Sequence, residues 1–216
     1  MAYTRIKICG ITRPEDARVA VASGADAIGL VFYAKSSSSV TPDQAQAIAA
    51  VVPPFVSVVA LFVDELPEVI TRIIEGVQVD LIQFHGEESP DFCQQFSRPW
   101  VKALRVRPDT NIEEACRSYQ GARGVLLDSW KEGVPGGTGN TFDWQLAARQ
   151  LSLPVVLAGG LHADNVGDAI MRLRPVAVDV SGGVEKSPGL KDAGKIQRFI
   201  AAVRAADQQL DGLCND

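Results

Sequence analysis

The sequence predicts an α/β fold, a (β/α)8 TIM barrel that forms one domain over residues 1–216. Short apolar runs alternate with helical patterns eight times, and turn or capping residues separate most of them. The chain has 216 residues, of which 46% are hydrophobic. This length suffices for a substantial core and leaves little room for insertions between eight strand–helix units.

The first half of the chain contains four of these units. Its predicted strands, at 6–9, 27–32, 55–63 and 81–84, are apolar almost throughout, which is typical of strands covered on both faces. A capping hydroxyl or an early proline begins each following helix, as at Thr12, Thr41, Pro67 and Ser89. These helices are predicted over 14–23, 42–51, 67–75 and from residue 90 onward.

The second half repeats the unit four times. Its predicted strands are 100–106, 124–128, 154–158 and 176–181, and its predicted helices are 112–119, 143–151, 163–173 and 192–205. We expect the polar residues 208–216 to form a frayed tail. An open, doubly wound sheet is the rival fold, but it would use fewer strands. Gly137-Thr138-Gly139 also lacks the third glycine of a dinucleotide-binding fingerprint.

Charge and composition argue against several functional classes. The net charge of −5 argues against a nucleic-acid-binding surface, and no apolar run is long enough to span a membrane. The first residues lack the pattern of a signal peptide, so we expect a cytoplasmic protein. The chain has two histidines and four cysteines without metal-ligand spacing, so we expect reduced thiols and no bound metal. These cysteines are Cys9, Cys93, Cys116 and Cys214.

The carboxyl ends of all eight strands meet at one mouth of such a barrel, where its active sites lie. Residues with useful chemistry lie at the C-terminal ends of most of the predicted strands. They are Cys9, Gln83, His85, Arg105, Asp128, Gly159, Gly160, Asp179, Ser181, Gly182 and Gly183. We therefore expect them to surround a single site despite their separation along the chain.

Two Gly-Gly pairs follow the seventh and eighth strands, within residues 158–161 and 180–184, here called the Gly-Gly loops. These glycines could simply form tight turns. Barrels, however, often bind phosphate at these two positions, where bare backbone N–H groups face the anion. Because both pairs lie at the expected strands, we favour a phosphate site.

Cys9 and Asp128 are the candidate base and acid. A lone cysteine in an apolar strand is usually a core residue, and a carboxylate at a strand end often caps a loop. Cys9 nevertheless ends the first strand, and a base role needs only modest lowering of the usual thiol pKa by nearby dipoles or cations. An acid role for Asp128 requires a protonated carboxyl, which burial under the following glycine-rich loop would favour. The two residues lie roughly across the predicted barrel. We interpret His85 as a binding or packing residue.

Four segments together resemble the phosphoribosylanthranilate isomerase family. They are Lys7-Ile8-Cys9-Gly10-Ile11-Thr12, Gln83-Phe84-His85-Gly86-Glu87, Gly136-Gly137-Thr138-Gly139 with Phe142-Asp143-Trp144, and Val178-Asp179-Val180-Ser181 with Gly183-Val184-Glu185. The resemblance covers nearly the whole chain in the same order. It implies an Amadori rearrangement in tryptophan biosynthesis, without cofactor or metal.

The resemblance also implies roles for individual residues. Asp128 is similar to the general acid that opens the ribose ring to a Schiff base, and Cys9 to the general base that removes the C2′ proton. The substrate is a phosphosugar joined to anthranilate. Residues expected to bind it are Lys35, Ser38, Gln83, His85, Arg105, Gly137, Gly159, Gly160, Asp179, Ser181, Gly182 and Gly183.

The chain departs from the family at Ser38. The family usually has Lys-Ser-x-Arg after the second strand, with the arginine on the anthranilate carboxylate, whereas this chain has Lys35-Ser36-Ser37-Ser38. A hydroxyl cannot reproduce the two-pronged contact of arginine, although Lys35 offers a point charge. Gly182, where a second serine is common, is a smaller departure.

Two alternatives therefore stay open. The first is a related phosphosugar isomerase with an altered substrate, and the second is a phosphate-binding barrel with impaired catalysis. A metal-dependent epimerase is not among them, because it would need more histidines than the chain has. Both a monomer and a homodimer are compatible with the sequence.

Overall fold

A computed structural model describes residues 3–107, 110–129 and 151–213. Eight parallel strands close into a barrel in sequence order, which confirms the predicted fold. The strands are β1 (Arg5–Cys9), β2 (Ala27–Phe32), β3 (Ser57–Phe62), β4 (Leu81–Phe84), β5 (Trp100–Val106), β6 (Val125–Ser129), β7 (Val155–Leu157) and β8 (Ala177–Val180). A short antiparallel pair, β9 (Glu185–Ser187) and β10 (Leu190–Lys191), follows β8.

Helices connect the strands on the outside of the barrel. They are α1 (Pro14–Ala22), α2 (Pro42–Ala49), α3 (Pro67–Gly76), α4 (Pro90–Gln94), α5 (Ile112–Ser118), α6 (Val166–Leu173) and α7 (Ala193–Leu213). Residues 143–150 of the helix predicted over 143–151 lie outside the described residues. None of the described helices has both the length and the apolar character needed to cross a bilayer.

Alternation along the strands sorts side chains into two layers. Ile6 and Ile8 of β1 belong to the large apolar cluster that includes helix residues such as Ile48 and Phe199. Cys9, whose side chain points to the opposite face of β1, belongs to a separate small cluster with Val31 and Leu61. The outer layer therefore holds the helices against the barrel, while the other faces of the strands point into its interior.

Two predicted element starts differ from the structure by more than one residue. Strand β3 begins at Ser57 and not at residue 55, because Phe55 follows two prolines, has a positive φ of 71° and is fully exposed. Helix α6 begins at Val166 and not at residue 163. The Asn165 side chain accepts from the His162 amide at 2.8 Å and donates to the Gly160 carbonyl at 3.0 Å, which forms a turn before the helix.

The prediction of a frayed tail was wrong for residues 208–213, which form the last turns of α7. Leu210 is buried there, whereas Gln208 and Gln209 are exposed. The polar composition of this segment suggested disorder, but the burial of Leu210 packs the end of α7 against the barrel. Residues 214–216, including Cys214, lie outside the described residues.

Candidate active site

A cavity of about 820 Å³ opens at the carboxyl ends of the strands. It collects every predicted site residue that the structure describes. They are Cys9, Lys35, Ser38, Gln83, His85, Arg105, Asp128, Gly159, Gly160, Asp179, Ser181, Gly182 and Gly183. Gly137 lies outside the described residues. Since these residues come from seven different strand ends or loops, closure of the barrel is what brings them together.

Asp128 forms the acidic wall of the cavity. It lies near the end of β6, and its side chain is buried. Its Oδ2 is 3.1 Å from Nε2 of His85, whose Nδ1 is 2.9 Å from the amide nitrogen of Gln83. Because that amide donates to Nδ1, the proton of a neutral His85 lies on Nε2 and points at Asp128. The hydrogen bonds from Gln83 to His85 and from His85 to Asp128 thus orient the Asp128 carboxyl group.

These hydrogen bonds give His85 a defined orientation that the sequence did not indicate. The sequence suggested no partner that would orient the ring, but the side chain of Gln83, on β4 two residues before His85, does so. Among the described residues, Oε1 of Gln83 is the buried side-chain polar atom that has no partner. The Arg105 guanidinium contacts the His85 carbonyl at 3.4 Å and lies in register with Asp128 on the adjacent strand.

Cys9 lies on the other side of the cavity, at the end of β1. It is buried, and this desolvation raises the pKa of its thiol above the ordinary value. The positive charge of Lys7 opposes this effect, while the negative charge of Asp179 adds to it. The expected lowering by a cation is therefore present, but burial outweighs it and leaves the pKa raised.

Lys7 and Asp179 form a buried ion pair beside Cys9. The Lys7 Nζ atom lies 2.9 Å and 3.0 Å from the two carboxylate oxygens, and both side chains are almost inaccessible. The residues occupy matching register positions on β1 and β8, the two strands that close the barrel. Lys7 was missed in the sequence. A charged residue two positions before Cys9, in an otherwise apolar strand, was the signal available.

The Gly-Gly loops form the side of the cavity after β7 and β8. Gly159 and Gly160 have positive φ angles of 79° and 66°, which side chains disfavour. A side-chain carbon on Gly183 would overlap the Leu161 carbonyl oxygen, so the two loops touch through their backbones. Glycine at these positions is thus required for the close approach of the loops.

Lys191 supports the second Gly-Gly loop from behind. Its Nζ contacts the carbonyl and hydroxyl oxygens of Ser181, both at 3.3 Å, and Oε1 of Glu185 at 2.9 Å. This lysine was also missed, because it belongs to the β9–β10 hairpin and its sequence neighbours gave no sign of burial. Among the described residues, no group of three or more His, Cys, Asp or Glu side chains could hold a metal ion.

Comparisons with known proteins bear directly on this arrangement. The family model described as N-(5'phosphoribosyl)anthranilate (PRA) isomerase matches residues 6–202. The chain belongs to this isomerase family. The resemblance seen in the sequence is thereby confirmed.

Individual members of the isomerase family match over nearly their full length. The N-(5'-phosphoribosyl)anthranilate isomerase of Pseudomonas putida strain GB-1 is 58% identical over 206 residues, which is 95% of this chain and 100% of the relative. The crystal structure of phosphoribosyl anthranilate isomerase from Thermotoga maritima has a TM-score of 0.88 and 42% identity, covering 94% of this chain and 100% of that chain.

A second solved structure of the isomerase family contains a ligand. It is described as a complex with reduced 1-(o-carboxyphenylamino)-1-deoxyribulose 5-phosphate. Its TM-score is 0.83 and its identity 40%, covering 94% of this chain and 100% of that chain. A further Thermotoga maritima structure is described as mutually generated monomers of a dimeric phosphoribosylanthranilate isomerase.

Proposed function

We propose that this chain catalyses the Amadori rearrangement of N-(5-phosphoribosyl)anthranilate to 1-(2-carboxyphenylamino)-1-deoxyribulose 5-phosphate, a step of tryptophan biosynthesis. One observation carries the proposal. A thiol and a carboxyl group, Cys9 and Asp128, line one cavity from strands on different sides of the barrel, and two Gly-Gly loops border that cavity.

In the proposed reaction Asp128 gives its proton to the ribose ring oxygen, and the C1′–oxygen bond breaks to leave a Schiff base. The thiolate of Cys9 then takes the proton from C2′, and the resulting enolamine tautomerises to the ketone. The rearrangement is an isomerisation, so it needs no external oxidant or reductant. His85, at 3.1 Å from Asp128, holds the carboxyl in position for the transfer.

The substrate's phosphate is proposed to bind the Gly-Gly loops through backbone N–H groups of Gly159, Gly160, Gly182 and Gly183. Lys191 adds a fixed positive charge immediately behind Ser181. Asp179 is proposed to accept from a ribose hydroxyl, and Lys35, Gln83, Arg105 and Gly137 to contribute further contacts. In this arrangement the phosphate binds the Gly-Gly loops, and the acid, Asp128, lies on a different wall of the cavity.

The proposal predicts severe loss of turnover when either proton-transfer group is removed. For both Asp128→Asn and Cys9→Ser we expect kcat to fall by about 10²–10⁴-fold or more, since general acid–base catalysis typically contributes that factor. A steady-state assay that follows loss of phosphoribosylanthranilate fluorescence measures this. Affinity for a non-reacting phosphorylated analogue should stay nearly intact, which separates catalysis from binding. Wild-type turnover in Asp128→Asn would exclude the acid assignment.

A second candidate function rests on Ser38. If this hydroxyl cannot hold the anthranilate carboxylate, the same acid, base and phosphate loops suit a related phosphosugar aldose–ketose isomerisation. Absence of turnover with phosphoribosylanthranilate in both wild type and Ser38→Arg would favour this candidate.

We further propose a single-domain enzyme that acts in the cytoplasm on a small-molecule substrate, without nucleic acid or membrane partners. A monomer and a homodimer are both compatible with the barrel. Light scattering coupled to size-exclusion chromatography distinguishes the two states.

A further inference from the structure

Gly29 provides the space beside Cys9 that the Lys7 side chain occupies. Lys7 and Cys9 are two residues apart on β1, so their side chains point to the same side of the strand. Gly29 of β2 lies in register with Cys9. A side-chain carbon on Gly29 would lie 2.8 Å from the Cys9 sulfur and 3.1 Å from Cε of Lys7. Glycine therefore leaves room for the lysine chain and the thiol to lie next to each other.

The Lys7 ammonium has three N–H donors. Two of them are directed at Asp179, whose carboxylate oxygens lie 2.9 Å and 3.0 Å from Nζ. One donor is thus left for another acceptor, and the lysine side chain passes directly beside the Cys9 sulfur.

The groups whose charges act on Cys9 are Lys7 on β1, Asp179 on β8 and Lys191 on β10, while Val31 and Leu61 pack against it as apolar neighbours. Burial is the main cause that keeps the pKa of the thiol raised, and Lys7 is the largest opposing influence. Burial also disfavours the ammonium of Lys7, but Asp179 and Cys9 outweigh this, so its pKa is raised and it stays charged.

We propose that Lys7 is a positioning residue for Cys9: its ammonium is the counter-charge that a buried thiolate needs, and Asp179 holds that ammonium while competing for it. The inference rests on the proposed function only for its catalytic consequence. The placement of Lys7 beside both Asp179 and Cys9 does not depend on that function.

Two single substitutions should shift the pH midpoint of Cys9 alkylation in opposite directions. In Lys7→Met the thiolate loses its counter-charge and faces Asp179, so the pH midpoint of Cys9 alkylation should rise. In Asp179→Asn the ammonium is left to the sulfur alone, so the midpoint should fall. A shift of one pH unit changes the thiolate fraction, and hence alkylation below the midpoint, about tenfold.

The experiment measures carboxamidomethylation of Cys9 by iodoacetamide from pH 6 upward (about pH 6–10 covers ordinary thiol titration), with peptide-level mass spectrometry to isolate this thiol. Lys102→Met is the matched control. Lys102 also belongs to a buried lysine–carboxylate pair, 2.7 Å from Glu88, but it does not act on Cys9. We expect its midpoint to equal that of the wild type. Circular dichroism establishes that each variant is folded.

The double substitution Lys7→Met with Asp179→Asn keeps the inference testable if Lys7→Met alone fails to fold. It removes both members of the pair and leaves no isolated buried charge. Its midpoint should lie above the wild-type value, because Lys7 is a larger influence on Cys9 than Asp179. A midpoint equal to wild type in the double variant, or shifts of the same sign in the two single variants, would overturn the inference.

The pH dependence of kcat/KM distinguishes a failure of this proposal from a failure of the proposed function. If Cys9 is the base, the pH dependence of kcat/KM in the Asp179→Asn and double variants should shift in the same direction as alkylation. Shifted alkylation with an unshifted activity profile would contradict the base role of Cys9 while supporting the role of Lys7.

Discussion

At the scale of single residues, Ser38 is the feature that most distinguishes this chain from its family pattern. Its side chain is buried, and its amide donates to Oγ of Ser36 at 3.1 Å. A side-chain carbon on Gly10 would lie 2.9 Å from the Ser38 hydroxyl oxygen and 3.1 Å from that of Ser181. Ser38 therefore sits on the cavity wall next to the second Gly-Gly loop.

The substitution Ser38→Arg tests whether this position limits activity. If an arginine here binds the anthranilate carboxylate, kcat/KM should rise by about 10- to 150-fold, which corresponds to the 1.5–3 kcal/mol of a charged hydrogen bond. Parallel steady-state assays of the wild type and Ser38→Arg measure this. Ser38→Lys is the matched control, since it adds charge without the planar fork. A fast wild type that gains nothing from arginine would mean that another group, such as Lys35, holds the carboxylate.

At the scale of elements, helix starts hold the loops that border the cavity. The serine-rich loop with Lys35 and Ser38 runs directly into α2, whose first turn has a complete capping box. Oγ1 of Thr41 accepts from the Gln44 amide at 3.2 Å, and the Gln44 side-chain oxygen accepts from the Thr41 amide at 2.9 Å. This reciprocal pair fixes the direction in which the loop enters the helix.

Removal of this cap should destabilise the protein measurably. We expect Thr41→Ala to lower the free energy of unfolding by about 1 kcal/mol, the typical value for a lost N-cap. Thr41 is exposed, so the change removes the hydrogen bond without creating a cavity in the core. Urea denaturation followed by circular dichroism measures the loss, and Thr41→Ser, which keeps the hydroxyl, should unfold close to wild type. Equal stability of the alanine and wild-type proteins would contradict the capping role.

The loop after β4 shows a second element-scale device. The carboxylate of Glu88 accepts from the amides of Asp64 and Gly86, and Nζ of Lys102 binds this carboxylate at 2.7 Å and the Gly86 carbonyl at 2.6 Å. This network holds the backbone immediately after His85. The direction of the His85 ring toward Asp128 thus depends on a buried ion pair outside the cavity.

At the scale of the whole molecule, the two ends of the described chain close the barrel together. Asp207 of α7 accepts from the Thr4 amide at 3.1 Å and from the Thr4 hydroxyl at 2.6 Å. Arg204 donates to the Thr4 carbonyl at 2.7 Å. These contacts join residues about 200 positions apart, next to the β1–β8 seam that carries Lys7 and Asp179.

Loss of this closure should affect the stability of the whole barrel. In Asp207→Ala, two donors of Thr4 lose their buried partner, so we expect the free energy of unfolding to fall by about 2–4 kcal/mol. Chemical denaturation measures this, and Gln208→Ala, at the adjacent exposed position, should change stability by less than about 0.5 kcal/mol. If both variants unfold alike, the contacts of Asp207 do not contribute to closure.

The sequence by itself was enough to predict the barrel and the residues that lie at the carboxyl ends of its strands. Apolar runs, caps and glycines are local patterns, and in a parallel barrel the residue after each strand must lie at one end whatever its position in the chain. Cys9, Asp128 and the glycines of the Gly-Gly loops could therefore be assigned to one site without any knowledge of distances.

Only the tertiary structure decided which of these residues touch. The pairs Lys7–Asp179, His85–Asp128 and Glu88–Lys102 join different strands or loops, and their contacts depend on strand register and on burial. The same reason explains the end of α7, where the burial of Leu210 depends on the packing of the helix and not on local composition. The apolar periodicity that predicts strands and helices can be read from neighbouring residues. The partner of a buried charge, in contrast, depends on how the whole barrel closes.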